Sequence, residues 1–345
     1  MSNELHVIFG TGPVGRWTAR ALVDQGLAVR AVNRSGRRPE LMPAEVEVVA
    51  ADAADPAQAI AAAEGASTVY QALNPPYHRW HELFPGLQAG ALAAAEAAGA
   101  VYVSIENLYL YDSSRPMSED SPVAPVSKKG ELRRRMAEEV MAAHERGEVR
   151  AVALRSSDYY GPGVTGSSFG EPVFGNLVAG KKAQVGGSLT QPHSFAYIED
   201  VGRAAAELGM RDDVLGRVWI APHAPARTQG EMVEAACALL GIPPAVTAVS
   251  PLMMRLAGVF IPGARASVEM MYEFTGPFVV DSSRVERELG LRATPVDAAL
   301  ERTVEWYRRR AATQTDPGAS GVEGAASWKT GTTARRAAAA PPSRR

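Results

Sequence analysis

Apolar positions along the chain fall into short continuous runs separated by longer mixed stretches. The runs are Leu5–Phe9, Ala28–Val32, Val46–Ala50, Thr68–Ala72, Val101–Ile105, Val149–Leu154 and Val218–Ala221. Runs of this length, rich in Val and Ile and bounded by polar or Gly residues, predict strands buried on both faces. Between them lie helical stretches, two of them rich in alanine, at Ala57–Ala63 and Ala89–Ala100. Both are too short and too interrupted to span a bilayer, so helices packed on a sheet are expected. The alternation predicts an α/β fold, a doubly wound parallel sheet with right-handed crossovers.

From Gly161 onward Pro and Gly become more frequent, and helices at Gln229–Leu240 and Leu252–Ile261 alternate with short extended pieces. Residues 1–160 are therefore expected to form one domain. Residues 161–311 are expected to form a smaller substrate-binding part interleaved with the last sheet elements, ending in helices at Glu286–Gly290 and Val296–Arg310. Residues 312–345 are Gly, Ser, Thr, Ala, Pro and Arg with little apolar content, a composition expected to be disordered.

Composition changes the picture only at the edges. The chain has 345 residues, 46% hydrophobic and 21% charged, which is ordinary for a globular enzyme. A formal net charge of -2 gives no basis for expecting nucleic acid or an anionic membrane as partner. Cys237 is the single cysteine, so an intrachain disulfide or Cys-based zinc site is excluded, in keeping with a reducing cytoplasm. The first residues, Met1-Ser2-Asn3-Glu4, lack the basic and apolar regions of a signal peptide, and a cytoplasmic location is expected.

The strongest local signal is Gly10-Thr11-Gly12-Pro13-Val14-Gly15, which leaves the first apolar run and opens a helix. In that context a Gly-x-Gly-x-x-Gly loop points to a dinucleotide. Gly10 permits the turn, Gly12 lets a pyrophosphate approach the backbone, and Gly15 allows close helix–strand packing. The helix start offers free N–H groups to the phosphates. An NAD site usually ends its second strand with an acid; here that strand ends Asn33-Arg34-Ser35-Gly36-Arg37-Arg38. Arg34, assisted by Ser35, Arg37 or Arg38, suits a 2′-phosphate, so NADP(H) is favoured over NAD(H). A solvated basic turn is the competing reading of the same residues. Asp52, after the third strand, is placed to accept from the adenine amino group, with Ala53 beside it; Asp55-Pro56 reads as a helix cap.

In this order of motifs the chain resembles the extended short-chain dehydrogenase/reductases of the NAD(P)-dependent epimerase/dehydratase type, over about residues 5–310. The resemblance rests on Gly10–Gly15, Ala51–Asp55, Val101–Ser104, Ser118–Pro122, Leu154–Gly163 and His193–Val201. It implies a Rossmann fold, a homodimer, and further cofactor contacts at Ala72, Asn74 and Ser157. It also implies an active site of Ser or Thr, then Tyr, then Lys four residues on. None of the ten tyrosines here has Lys at the fourth following position. Aligned on Pro125, those positions fall on Asn107, Lys129 and Arg133.

Lys129 and Arg133 lie one helical turn apart and are expected to face one cleft. Lys129 is the candidate proton donor, Arg133 and Lys129 hold the cofactor, and Asn107 bonds a developing oxyanion. A solvated charged helix start is the competing reading of Lys129. Tyr109 is a reserve proton donor, as are Tyr111, Tyr159 and Tyr160. Tyr77, His78, Asn107, Tyr159, Tyr160, His193 and Tyr197 are candidate substrate contacts. His78 and His81, three residues apart, are read as part of a loop that shapes the pocket and caps the next helix, and no metal site is expected. The expected activity is hydride transfer on a small carbonyl, alcohol or sugar-like compound. The alternatives are a regulator that senses NAD(P) without turnover and a cofactor-assisted lyase or isomerase.

Overall fold

The computed structural model describes residues 4–315; the tail beyond Thr315 lies outside the described residues. Seven parallel strands form one sheet: β1 (Leu5–Phe9), β2 (Ala28–Asn33), β3 (Glu47–Ala50), β4 (Ala66–Gln71), β5 (Val101–Asn107), β6 (Arg150–Ser156) and a last strand at Val218–Ile220. Their spatial order is Val218–Ile220, β6, β5, β4, β1, β2, β3, so the winding reverses between β1 and β4. Ligands of such sheets bind outside the carboxyl ends of the strands at that reversal. The last strand comes from beyond Gly161, which ties the second half of the chain into the first sheet.

Strand alternation sends side chains to two cores. On one face Ile8, Val103, Val152 and Leu154 meet helix α1 (Pro13–Val23) and the helix Ile198–Leu208. On the other, Val7, Val69, Tyr102 and Ala151 meet α2 (Pro56–Ala62), α3 (Trp80–Ala98) and α4 (Lys128–Glu145). The alanines of α3 let it lie close to its neighbours; a Cβ on Gly90 would stand 1.9 Å from the Ala53 carbonyl oxygen. Helix α3 starts at Trp80, earlier than its alanine run suggests, carries Pro85 within it, and stops at Gly99 in the left-handed conformation. Asp55 caps α2 and Ser127 caps α4, each accepting backbone N–H bonds.

The rest of the chain builds a third core from Phe169, Phe174, Phe195, Met232, Leu300 and Tyr307. The final helix, Val296–Thr315, runs past residue 312, where the tail was expected to begin. The expected helix Leu252–Ile261 is shorter, at Pro251–Ala257.

Candidate active site

The glycine loop has the geometry its sequence predicts. Gly10 has φ +106°, and a Cβ there would meet the Ala72 carbonyl oxygen at 2.5 Å. A Cβ on Gly15 would lie 2.0 Å from the Gly10 carbonyl oxygen. Gly12 differs: nothing stands within 4 Å of its Cβ position. Gly12 is also the N-cap of α1, with no side-chain cap, and Pro13 opens the helix. The loop is thus closed towards β4 and open at Gly12, where a phosphate can meet uncapped N–H groups. Val14 is buried on the sheet side and belongs to the core.

Around it, Asn33 organises the turn after β2. Its amide donates to Thr11 Oγ1 (3.2 Å) and the Arg37 carbonyl (2.9 Å), and its Oδ1 accepts from the Ser35 N–H and hydroxyl, both at 3.0 Å. Arg34 and Arg37 are exposed. Arg38 is committed to the Pro43 and Val46 carbonyls, which removes it from the candidate phosphate ligands. Asp52 is half-buried and Ala53 buried; Asp52 accepts the Ala54 N–H through Oδ1 alone. Ala72 is half-buried beside Gly10, and Asn74 accepts from Trp80 Nε1 at 3.1 Å.

Past the carboxyl ends of β4, β5 and β6 the structure gathers a second cluster. Tyr77 donates its hydroxyl to Tyr109 (3.1 Å), and Trp80 packs against both rings. Lys129 Nζ stands 4.7 Å from the Tyr77 ring centre. It donates to Glu269 Oε1 at 2.6 Å and to the Ala266 carbonyl at 2.7 Å. Glu269 Oε2 accepts the Lys128 N–H (2.8 Å), and the Lys129 ammonium beside it holds this carboxyl below the usual range, against the opposing effect of burial. Lys129 is therefore a buried latch on the segment 266–269, and two of its three N–H donors are used.

Arg133 departs from expectation. It is 2% exposed, over the Phe84 ring at 4.7 Å, and donates to the Ile105 carbonyl (3.3 Å). The roll of α4 packs this guanidinium against Phe84 and the Ile105 carbonyl of β5 instead of leaving it free in the crevice, as its expected cofactor role requires. Asn107 turns its Oδ1 onto the Tyr109 N–H at 3.3 Å, while Lys129 turns to Glu269 and the Ala266 carbonyl.

After β6, Ser157 is buried with its hydroxyl on the Ser194 carbonyl and 3.0 Å from His223 Nε2. Burial lowers His223 to about 4. Tyr159 is half-buried and accepts from Ser156 Oγ at 2.9 Å. Tyr160 and Tyr197 were expected to touch substrate; they are 2% and 3% exposed and sit in the third core, their ring centres 5.5 Å apart. Their apolar rings are what that core needs. His78 is exposed on the Tyr77–Arg79 turn. His193 is buried between Phe195, Phe274 and Phe278, with Nε2 3.0 Å from Asp158 Oδ2 and Nδ1 3.2 Å from the Glu273 carbonyl.

Sequence reasoning missed Asp158 as a site residue, and it missed Glu269 and Glu273 entirely. Glu273 is 1% exposed, and its Oε1 has no hydrogen-bond partner. Burial first, then the Asp158 charge, pushes its carboxyl well above the usual range. Burial and the Glu273 charge likewise raise Tyr77 and Tyr109. No sequence motif marks these acids; only the return of the chain over the strand ends brings them in. Among the described residues no group of three or more His, Cys, Asp or Glu is arranged to hold a metal ion, and no helix is long and apolar enough to cross a membrane.

The family model described as NAD dependent epimerase/dehydratase family matches residues 7–214. The chain belongs to that family. As an epimerase/dehydratase family member it shares its fold with solved structures at low identity. A nucleoside-diphosphate-sugar epimerase from Pseudomonas aeruginosa is 18% identical, with TM-score 0.70, covering 90% of this chain and 99% of that one. UDP-glucuronic acid 4-epimerase from Bacillus cereus, in complex with NAD, is 15% identical with TM-score 0.70, covering 89% and 99%. A double mutant of dTDP-glucose 4,6-dehydratase from Streptomyces venezuelae, with NAD bound, is 18% identical with TM-score 0.71, covering 90% and 98%. A search of curated proteins finds no match.

Proposed function

We propose that the chain is an NAD(P)-dependent oxidoreductase or epimerase-like enzyme that acts on a carbonyl or alcohol carbon of a small sugar-like substrate, with NADP(H) preferred. The observation that carries this is the loop that is closed at Gly10 and Gly15 and open at Gly12, over the uncapped start of α1. Gly12 and the first N–H groups of α1 would hold the pyrophosphate. Arg34 with Ser35 would hold the ribose 2′-phosphate, and Asp52 the adenine amino group. Asn74 and Ser157, from the ends of β4 and β6, would border the nicotinamide half. When bound, the nicotinamide gives or takes a hydride at the substrate carbon.

The chain's own residues would supply the substrate side of the site. Tyr77, Tyr109 and Trp80 form an aromatic wall, and Lys129 pins the segment bearing Glu269 across it. The substrate class is drawn from the nucleotide-sugar enzymes that share the fold. A cytoplasmic location and a homodimer belong to the same proposal.

Fluorescence titration with NADPH and NADH, followed by a panel of carbonyl and nucleotide-sugar substrates monitored by nicotinamide absorbance, tests it. Tighter NADPH binding with turnover is expected. Absence of dinucleotide binding would sink the proposal. Tight binding without turnover of any substrate would favour a sensor, a reading supported by the ion-paired Lys129 at the position where the resemblance implies a Tyr.

A further inference from the structure

The exposed apolar side chains of this protein are concentrated in one place. Leu252, Met253, Leu256, Val259 and Phe260 all stand exposed within one short stretch, Val259 at 72% and Phe260 at 85%. A single exposed leucine is ordinary, whereas a contiguous apolar patch marks a contact surface. We propose that this stretch docks the protein on an anionic phospholipid surface, with the Val259–Phe260 tip entering the headgroup region. Such docking is independent of the dinucleotide chemistry proposed above.

The local structure builds a protruding tip. Ser250 caps a short helix, Pro251–Ala257, in which no residue is buried, and a second short helix follows at Pro262–Ser267. Leu252 and Leu256, four residues apart, share the outward side of the first helix with Met253 and Arg255. Gly258 lets the two helices close on each other, since a Cβ there would stand 2.9 Å from Arg265 Cα. That closure leaves Val259 and Phe260 at the turn between them. The second helix rests on the Tyr77–Arg79 turn, and Lys129 holds Ala266 within it and Glu269 just beyond it. The tip is thereby tied to the sheet through α4.

Charge decides the occupant. From Ala235 to Val268 the chain has no acid, and its only charged side chains are Arg255 and Arg265. Both are exposed, and among the described residues neither guanidinium has an ion-pair or hydrogen-bond partner. The whole-chain net charge of -2, which gave no basis for expecting an anionic membrane, averages this local excess away. An apolar tip flanked by unpaired arginines matches an interfacial membrane contact. The apolar side chains enter the boundary between headgroups and acyl chains, and the cations meet lipid phosphates. A second copy of the chain is a poorer match. In a two-fold contact the patch meets its own twin, so an acid-free cationic surface would face itself.

The test is co-sedimentation of the full chain with vesicles of phosphatidylcholine, alone or with about one-third phosphatidylglycerol. Binding should be stronger to the anionic vesicles and should weaken in high salt. Arg255→Gln combined with Arg265→Gln should lower the partition coefficient about 30-fold, from two cations at about 1 kcal/mol each. Val259→Ser combined with Phe260→Ser should lower it at least about tenfold. Melting temperature and NADPH affinity should be unchanged in both variants, because the altered side chains are exposed. Phe260→Trp, compared with wild type, should gain blue-shifted emission on anionic vesicles and quenching by lipid brominated in its acyl chains. No binding to anionic vesicles, or binding that survives both pairs of substitutions, overturns the docking surface and leaves the proposed function standing. A lipid-free dimer that dissociates on Val259→Ser with Phe260→Ser assigns the surface to a second copy and equally overturns it. A wild type that binds vesicles but no NADPH overturns only the proposed function.

Discussion

Replacing Lys129 by Met separates a latch from a catalytic proton donor. Lys129 is 4% exposed and makes a 2.6 Å charged bond to Glu269, a 2.7 Å bond to the Ala266 carbonyl, and a contact over the Tyr77 ring. Removing one partner of a fully buried ion pair costs about 3–5 kcal/mol, because the other charge is stranded. Exposed pairs contribute about 0–1 kcal/mol. This pair lies between the limits. The Glu269 side chain is 29% exposed and keeps the Lys128 N–H, so it can rehydrate when the ammonium goes. A loss of about 2 kcal/mol is therefore expected for Lys129→Met, between those two cases. Most of it should appear as coupling with Glu269→Gln in a double-mutant cycle by urea denaturation. Because the latch positions a pocket wall, KM should rise by more than kcat falls. Coupling below about 0.5 kcal/mol would show that the pair contributes nothing beyond an ordinary surface contact. A roughly 1,000-fold loss of kcat with stability intact would return Lys129 to the chemistry and refute the latch.

Gly15→Ala would force a Cβ to 2.0 Å from the Gly10 carbonyl oxygen, so dinucleotide affinity should fall at least about tenfold (about 1.4 kcal/mol), as read by NADPH fluorescence titration. Arg34→Ala should narrow the NADPH-over-NADH preference by about tenfold or more, measured from the ratio of the two Kd values, since a charged bidentate contact to the 2′-phosphate is lost. Glu273 is raised in the folded state, so its stabilising contribution is complete below the unfolded value of 4.5 and is lost as pH rises through the folded value. Glu273→Gln should accordingly gain on wild type in thermal melts as pH increases; a constant difference would contradict a buried neutral acid. His6, 1% exposed and lowered to about 4 by burial, contributes in the opposite sense. Its stabilisation is complete above pH 6.5 and disappears as pH falls towards 4, so acid melts of wild type should drop across that window.

The sequence by itself determined the sheet, the helices that cover it and the dinucleotide loop. Those features are local: apolar runs such as Leu5–Phe9 can only be buried strands, and Gly10, Gly12 and Gly15 act on backbone atoms within a few residues of themselves. Asp55 read correctly as a helix cap for the same reason, whereas Ser127, which caps α4, was not singled out. The site beyond the strand ends was not local. One helical turn was enough to predict that Lys129 and Arg133 share a face, but which face meets the crevice depends on how α4 rolls against Phe84 and Ile105, and that roll buried Arg133. Tyr160 and Tyr197 looked like pocket residues until the third core claimed their rings. Glu269 and Glu273 lie more than a hundred residues from Lys129 and Tyr109 in the chain, inside no recognisable motif. Only the tertiary structure brings them over the strand ends, because a carboxyl acquires a raised proton affinity from the low-dielectric, anionic surroundings that folding assembles and never from its neighbours in sequence.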